Sequence, residues 1–349
     1  MTDQSLKIVG ADEATRARII AALQQFELLP ERRFTTVRDD VTGPIVDALH
    51  ASLDVVRKEL SNGLVFEFPY RSKIARDFVM SVPEKPDHVW EPQTTKLLLH
   101  LSAGASHVVI GGAYFGDQAI PVAHAMRGRG VCHAFEPNRE MAAMLSRNAA
   151  LNALDNVRVH PLALWSDDTS RLAFVGDDAY ASTVACGAAA APQDDGVPTT
   201  TIDSYAAASG IDRFDLIMLD LEGGELNVLR GAEGQLSRHA PHVVFEVHRS
   251  YVDWSHGLHN TDIARWLASF GYTLFAIRDF QSNYDLSGRP VELVPADTAY
   301  LEGPPHGLNL LAIKDTSIIE NEHFEIVPNV SSKLLLHRDP KLHHPRGGL

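Results

Sequence analysis

The chain is predicted to fold as a doubly wound, mostly parallel α/β sheet, and three observations carry that expectation. Residues 108–137, VVIGGAYFGDQAIPVAHAMRGRGVCHAFEP, read as strand, glycine turn, helix, strand and a closing acidic residue. Residues 214–220, FDLIMLD, are a continuous apolar run ending in aspartate, as a strand buried on both faces should be. Around them, short β-branched runs alternate with helical periodicities, the pattern of a parallel sheet covered by helices.

In the first stretch, Val108–Ile110 form the strand, and Gly111, Gly112 and Gly116 the turn. A helix spans 117–127, with Ile120, Ala123 and Met126 on one face. Val131–Phe135 is the second strand, and Glu136 stands at its C-terminal end. Open α/β sheets bind ligands at such strand ends. Glycines there let the backbone come close, and a carboxylate can take a ribose diol. An adenosine-containing cofactor is therefore expected.

Ahead of this stretch, residues 12–29 place Ile19, Ala22, Leu23, Phe26 and Leu29 at helical spacing. A second helix is expected from Pro44 to Leu60, with Ile45, Leu49, Leu53, Val56 and Leu60 on one stripe. Pro44 suits its first turn and Asn62-Gly63 its stop. Residues 64–68 (LVFEF) alternate like a short strand. A proline-rich segment, 83–92, precedes a helix at 94–101. Trp90 and Glu91 could reach the cofactor cleft from there, or simply pack in a surface loop. Residues 1–92 thus read as an N-terminal helical extension. It could cap the substrate side, form a homodimer interface or pack on the main domain.

Beyond Glu136 come a helix at 138–152 and a strand at 157–160. The stretch 166–198 is rich in small residues, with a strand at 172–175 and a mobile loop at ACGAAAAPQDDG, 185–196. A short strand at 199–202 leads to a helix capped by Asp203. Helices from Glu225 and over 261–270, with strands at 242–247, 272–277 and 308–313, complete the alternation within residues 93–314. Residues 315–349 read as a tail. Its apolar patch at 334–336 and basic end, KLHHPRGGL, are either disordered or docked on another protomer.

The formal net charge is −14 over 349 residues, which disfavours nucleic acid and anionic membrane as partners. Two cysteines, Cys132 and Cys186, leave no disulfide framework or cysteine-based zinc site. Cys132, within a strand, reads as a small core residue. The charged N-terminus lacks the apolar run of a signal peptide, and no apolar run reaches membrane-spanning length. A cytoplasmic protein is expected.

The cofactor admits two readings. Gly111-x-Ala113-x-x-Gly116 is one residue from a dinucleotide fingerprint, and Glu136 lies 20 residues beyond Gly116. That allows an NAD-dependent oxidoreductase. The acidic cluster Asp220, Glu222 and Glu225, where a buried strand meets a helix, repels the pyrophosphate such a cofactor carries. S-adenosylmethionine has a sulfonium, an ammonium and no phosphate, so the electrostatics favour it.

These residues resemble the FkbM family of S-adenosylmethionine-dependent methyltransferases, of the class I Rossmann-like group. The resemblance covers about residues 107–280. It rests on Asp220-Leu-Glu-Gly-Gly-Glu225 followed by VLRGA, on AFEP at 134–137, NAALN at 148–152, PLALWSDD at 161–168, TTTID at 199–203 and FEV at 245–247. It implies a seven-stranded Rossmann-like methyltransferase sheet and S-adenosylmethionine as cofactor. It implies a sugar, glycan or secondary-metabolite hydroxyl as acceptor. The chain departs from the family's first motif, where Ile110 replaces an expected Asp and Tyr114 an Asn. Asp117 or Asp220 could stand in for the lost carboxylate. The departure also keeps open a non-catalytic binder of the cofactor product or of a glycan.

On this reading, Gly112, Ala113 and Gly116 bring the backbone to the cofactor. Glu136 takes the ribose, Leu162 and Ala163 flank the adenine, and Asp167 is placed to reach its amino group. Asp220 sits beside the point of methyl transfer. His248 is the first candidate base, imidazole being the side chain whose unperturbed pKa, about 6.5, suits the task, and Glu246 the second. Glu222 is assigned to a substrate hydroxyl, and Tyr251 and Trp254 to stacking on a ring or sugar face. His256 and His259 could line the acceptor pocket. Asp220, Glu222, Glu246 and His248 could also gather around a divalent ion, but no dedicated metal spacing is present and none is assigned.

Overall fold

The glycine turn and the acidic strand end meet near the middle of a nine-stranded sheet. The computed structural model describes residues 2–28, 37–175, 182–185, 196–280, 283, 288–301 and 307–334. Helices α1 (Thr2–Gly10), α2 (Glu13–Glu27) and α3 (Gly43–His50) lead to strands β1 (Val56–Glu59) and β2 (Val65–Phe68), then to α4 (Lys73–Val79) and α5 (Pro92–Ser102). Next come β3 (His107–Gly111), α6 (Ala119–Ala125), β4 (Val131–Phe135), α7 (Arg139–Leu151) and β5 (Val157–His160). A small separate sheet holds β6 (Ala163–Leu164), β7 (Arg171–Val175), β8 (Ser182–Ala185) and β9 (Val197–Thr200). The chain returns through α8 (Ile202–Ser209), β10 (Leu216–Leu219), α9 (Glu225–Arg230), α10 (Glu233–Arg238), β11 (His242–Val247), α11 (Asp262–Ser269) and β12 (Thr273–Ile277). It ends with β13 (Asp279–Phe280), β14 (Val291–Pro295), β15 (Leu308–Ile313), β16 (Phe324–Ile326) and β17 (Lys333–Leu334).

The main sheet runs β16-β14-β12-β15-β11-β10-β3-β4-β5. From β3 the chain steps outward to β4 and β5, then crosses back to β10 and β11 on the other side. All four pairings are parallel. The order therefore reverses between β3 and β10, and the crevice at their C-terminal ends is where such a sheet takes a ligand. β15 is inserted antiparallel between β11 and β12.

Seven of the expected strands, β3, β4, β5, β10, β11, β12 and β15, form this sheet, and β14 and β16 extend it to nine; the strands expected at 172–175 and 199–202 fall in the small separate sheet as β7 and β9. β16 comes from the stretch expected as a tail. It pairs with β14 because Phe324, 8 % exposed, packs into the core. The apolar patch beyond Leu334, which closes β17, the basic end of that tail, the loop at 185–196 except for its first and last residues, and Cys186 lie outside the described residues.

The expected helix from Pro44 to Leu60 stops at His50. Residues 56–59 are instead β1, paired antiparallel with β2. Asn62-Gly63 does not end a helix but turns this hairpin. Leu60 N–H donates to Leu64 O at 2.7 Å, and Gly63 has φ +86°. The alternation in LVFEF decides the outcome. Phe66 and Phe68 are fully buried, and they need a partner strand to supply their backbone hydrogen bonds.

Two apolar cores lie on opposite faces of the sheet, as the two-residue period of a strand requires. Val108, Ile110, Leu216 and Met218 point to one, and Val109, Ile217 and Leu219 to the other. The first core also contains Val46, Phe66, Phe68, Phe78 and Phe115. Phe115, next to the glycine turn, lies 5.6 Å from Phe68 and 6.4 Å from Phe66 between ring centroids. Residues 46–80 therefore pack as part of the same body as the sheet.

Candidate active site

A cleft open to solvent lies over the ends of β3, β4 and β10. Gly112, Tyr114, Asp117, Glu136, Asp220 and Glu222 line it, with Trp90, Ile110, Met141, Ala163, Leu164 and Met218 among its apolar walls. Its lining contains four carboxylates and no Lys, Arg or His.

The turn is held by backbone bonds. Gly112 and Ala113 N–H groups both donate to Phe135 O, tying the loop to β4. Gly112 has φ +75°, and a Cβ there would stand 1.8 Å from Asp220 O. Glycine is thus required by close approach to the end of β10. Gly116, with φ +100°, faces the core: its Cβ would meet Leu145 Cδ1 at 2.4 Å. Ala113 is 1 % exposed and packs into the first core. Neither Gly116 nor Ala113 lines the cleft, so their part is to shape the turn. Tyr114, read only as a departure from the family motif, does line it.

Glu136 is fixed from both sides. Oε2 accepts from Tyr114 N–H at 2.7 Å and Oε1 from Asn138 N–H at 2.8 Å. Each oxygen keeps a second lone pair for a ligand. Burial pushes its pKa up to about 7 against those two hydrogen bonds, and Asp117 adds to the rise. Asp117, 8 % exposed, is likewise held up at about 7 by burial.

Ala163 lines the cleft as expected, whereas Leu162 packs against the second core and Leu164 takes its place. β6 begins at Ala163, and both its residues are buried. Asp167 is not in the cleft. It accepts from Thr169 and Ser170, and these bonds hold its pKa down at about 2.

The far end of the cleft is acidic. Asp220 follows β10 and Glu222 stands in the LEGG loop with φ +51°, both in the cleft lining, whereas Glu246 lies in β11 beside Asp220 and, like His248, outside that lining. One oxygen of each lies within 4.8 Å of the other two. Glu225 shapes that loop from within, accepting from Leu221 N–H at 2.8 Å and Gly223 N–H at 3.1 Å. Desolvation, then repulsion by Glu246, lifts Asp220 well above the carboxylate range and Glu222 to about 7. Glu246 is also raised by desolvation, although Tyr251 donates its hydroxyl to it and His248 and Lys333 pull the other way. Glu91, at the start of α5, belongs to the same field. It has φ +47°, its Oε2 is shut off from solvent without a hydrogen-bond partner, and its pKa is pushed to about 8 by burial, then by Asp279 and Glu246.

His248 is not poised as a base. Its Nδ1 accepts from Ser250 N–H at 3.0 Å and meets Ser250 Oγ at 2.6 Å, which leaves the neutral ring's proton on Nε2. It is also absent from the cleft lining. Tyr251 reaches the acidic end through Glu246, and its ring packs over Gly223. Trp254 is elsewhere. It is 7 % exposed in the second core and lines a separate cavity with Arg249, Leu258 and Tyr300. His256 and His259 are exposed and meet Asn260.

Sequence reasoning assigned no site role to Tyr114, Asn138 or Leu164, and left Trp90 and Glu91 between cleft and surface. Trp90 lines the cleft and Glu91 stands behind it. The signal for both was their place one turn ahead of the helix that feeds β3.

The strand order, the crevice at its reversal and the acidic strand ends define a Rossmann-like α/β protein with a cleft at its carboxyl strand ends. The family model of the methyltransferase FkbM domain matches residues 111–274, a little under half of the chain. Among solved structures, it is similar to the methyltransferase FkbM from Methylobacillus flagellatus at 16 % identity and a TM-score of 0.36. That match covers 60 % of this chain and 44 % of that one, so the chain spans less than half of that protein's length. It is similar to an O-methyltransferase from Bacillus cereus in complex with SAH at 14 % identity and TM-score 0.36, over 71 % of this chain and 93 % of that one. It is also similar to an O-methyltransferase from Streptomyces achromogenes involved in tomaymycin synthesis, in complex with SAM. There the identity is 13 % and the TM-score 0.35, over 82 % of this chain and all of that one. No curated protein sequence matches the chain. Among the described residues, no helix is long and apolar enough to cross a membrane.

Proposed function

We propose that the cleft binds S-adenosylmethionine and that the protein transfers its methyl group to a hydroxyl of a sugar, a glycan or a secondary metabolite. The observation that carries this reading is the charge of the cleft lining, four carboxylates and no basic side chain. Such a surface suits a donor with two positive groups and no phosphate. A dinucleotide would set its pyrophosphate against that charge.

Glu136 takes the ribose hydroxyls on its free lone pairs. Ala163, Leu164 and Met141 offer the apolar walls for adenine. Asp117 faces the ammonium of the methionine end and so replaces the carboxylate that Ile110 lacks. The acceptor then lies over Asp220, Glu222 and Glu246, with Tyr251 behind. Its oxygen forms a bond to the methyl carbon as the bond from carbon to sulfur breaks. S-adenosylhomocysteine leaves, and the hydroxyl proton passes to the acidic end of the cleft. Holding the two reactants in line supplies most of the acceleration.

Calorimetry with S-adenosylhomocysteine, against NAD as comparison, tests the cofactor. Binding of NAD with no heat from S-adenosylhomocysteine would sink the reading. The engaged Nδ1 of His248 favours, as a second reading, a protein that binds the cofactor without transfer. Transfer of a labelled methyl group to a panel of sugars and phenolic or polyketide alcohols separates the two.

A further inference from the structure

We propose that the cavity beside Trp254, outside the cleft, binds an organic carboxylate, a monoanionic acid carried on an aromatic or branched aliphatic body. The cavity lies between the loop from β11 to α11 and the segment that enters β15. Arg249, Trp254, Leu258, Tyr300, Leu301 and Leu308 help to line it. Among the described residues, its lining contains no Asp, Glu or His, the reverse of the acidic cleft.

Two donors in this lining lack acceptors. Trp254 is 7 % exposed, and its Nε1 is shut off from solvent with no hydrogen-bond partner among the described residues. An indole N–H only donates, so no flip or tautomer supplies the partner from within the ring. Buried indole N–H groups usually have one. Arg249 supplies the charge. Its guanidinium carbon stands 5.2 Å from the Trp254 ring centroid, and it makes no ion pair among the described residues. A carboxylate has two oxygens, one for each donor, and its planar shape matches a guanidinium.

Backbone bonds hold these walls in place. Gly257 N–H donates to Trp254 O at 2.9 Å, Thr261 Oγ1 to Leu258 O at 2.8 Å, and Ser332 N–H to Tyr300 O at 2.9 Å. The walls also select the body of the ligand. Leu258, Leu301 and Leu308 offer aliphatic surface, and Tyr300, 52 % exposed, offers a ring. Covering them rewards an apolar group. A dianionic phosphate would bring a second charge against these walls with one cation to meet it, and desolvating an unpaired charge is costly. The site stands apart from the methyl donor's cleft and does not depend on methyl transfer.

The test is calorimetry of the full chain with sodium benzoate, sodium phenylacetate and sodium 4-methylpentanoate, each compared with its neutral amide. Saturable binding of one acid per chain is expected, about tenfold or more tighter than its amide. Arg249→Gln and Trp254→Phe should each weaken the acid about tenfold or more, whereas Arg147→Gln, exposed on α7, should not. Arg249 is exposed, so its variant keeps the test decisive if Trp254→Phe fails to fold. Absence of saturable binding by all three acids, or unchanged affinity in folded Arg249→Gln, overturns the site. Phenyl phosphate binding more tightly than every acid overturns the choice of a carboxylate. S-adenosylhomocysteine is then titrated into the acid-loaded protein. Its displacing the acid would put the acid in the cleft and overturn the separate site.

Discussion

Gly112 shows how much of the site hangs on single atoms. A methyl group there would stand 1.8 Å from Asp220 O, whereas Gly63, with a similar positive φ of +86°, has nothing within 4 Å of the same position. Gly63→Ala should cost about 1 kcal/mol from its backbone alone. Gly112→Ala should cost clearly more and lower S-adenosylhomocysteine affinity about tenfold or more, because the two loops must part. Equal melting temperatures for the two variants would refute this. Glu136→Ala removes the acceptor that Glu136 offers to the Tyr114 and Asn138 N–H groups, at about 1–3 kcal/mol for each bond lost, while Glu136→Gln keeps one acceptor and should lose less. Denaturant titration of both variants checks the order. Glu136 and Asp220 were legible in the sequence because a strand end fixes where its next residue points. His248 was legible as a position only. The hydrogen bond from Ser250 that occupies its Nδ1 depends on a turn the sequence pattern does not encode.

Elements were read well where periodicity was unbroken and badly where it could serve two structures. The stripe at 45, 49, 53, 56 and 60 suits one long helix, yet it is shared by α3 and β1. Lys58 in β1 joins this hairpin to the end of α4, donating to Phe78 O at 2.5 Å, Val79 O at 3.2 Å and Ser81 Oγ at 2.6 Å. Lys58→Met should destabilise by about 1–3 kcal/mol, read from denaturant midpoints, by leaving those acceptors unpaired. A second junction is a ladder across β3, β4, β5 and α8. His107 Nδ1 meets His133 Nε2 at 3.1 Å, and Tyr205 OH joins His133 Nδ1 and His160 Nε2 at 2.8 Å each. Burial, then His107 and His160, hold the His133 pKa down at about 3. Unfolded, it titrates near 6.5. Between those values only the unfolded chain binds the proton. Stability is therefore full above about pH 6.5 and declines as pH falls toward 3, by up to about 1.4 kcal/mol per pH unit from this group. Chemical denaturation at pH 7 and pH 5 should show the loss, and His133→Phe should flatten it. An unchanged slope in that variant would assign the loss to other groups.

At the scale of the molecule, the N-terminal residues and the sheet share one core. Phe66, Phe68 and Phe78 pack with Phe115 and Leu145, so a fragment limited to 93–314 would expose that face. It should fail to give a cooperative melt, whereas the full chain should melt about 2.7 kcal/mol more stable with S-adenosylhomocysteine at a hundred times its Kd. A fragment that melts cooperatively and binds the ligand would overturn this. The sequence by itself determined the alternation of strands and helices, the crevice residues Gly112, Glu136 and Asp220, and the acidic strand end that disfavours a phosphate-bearing ligand. These are local matters, set by the period of apolar residues and by charges a few positions apart. Only the tertiary structure decided that Glu91 and Trp90 come to the cleft, that Trp254 leaves it, and that Asp220, Glu222 and Glu246 converge on one point. Those outcomes depend on which strands become neighbours and on which face each loop closes. Long-range packing sets both, and no spacing along the chain records it.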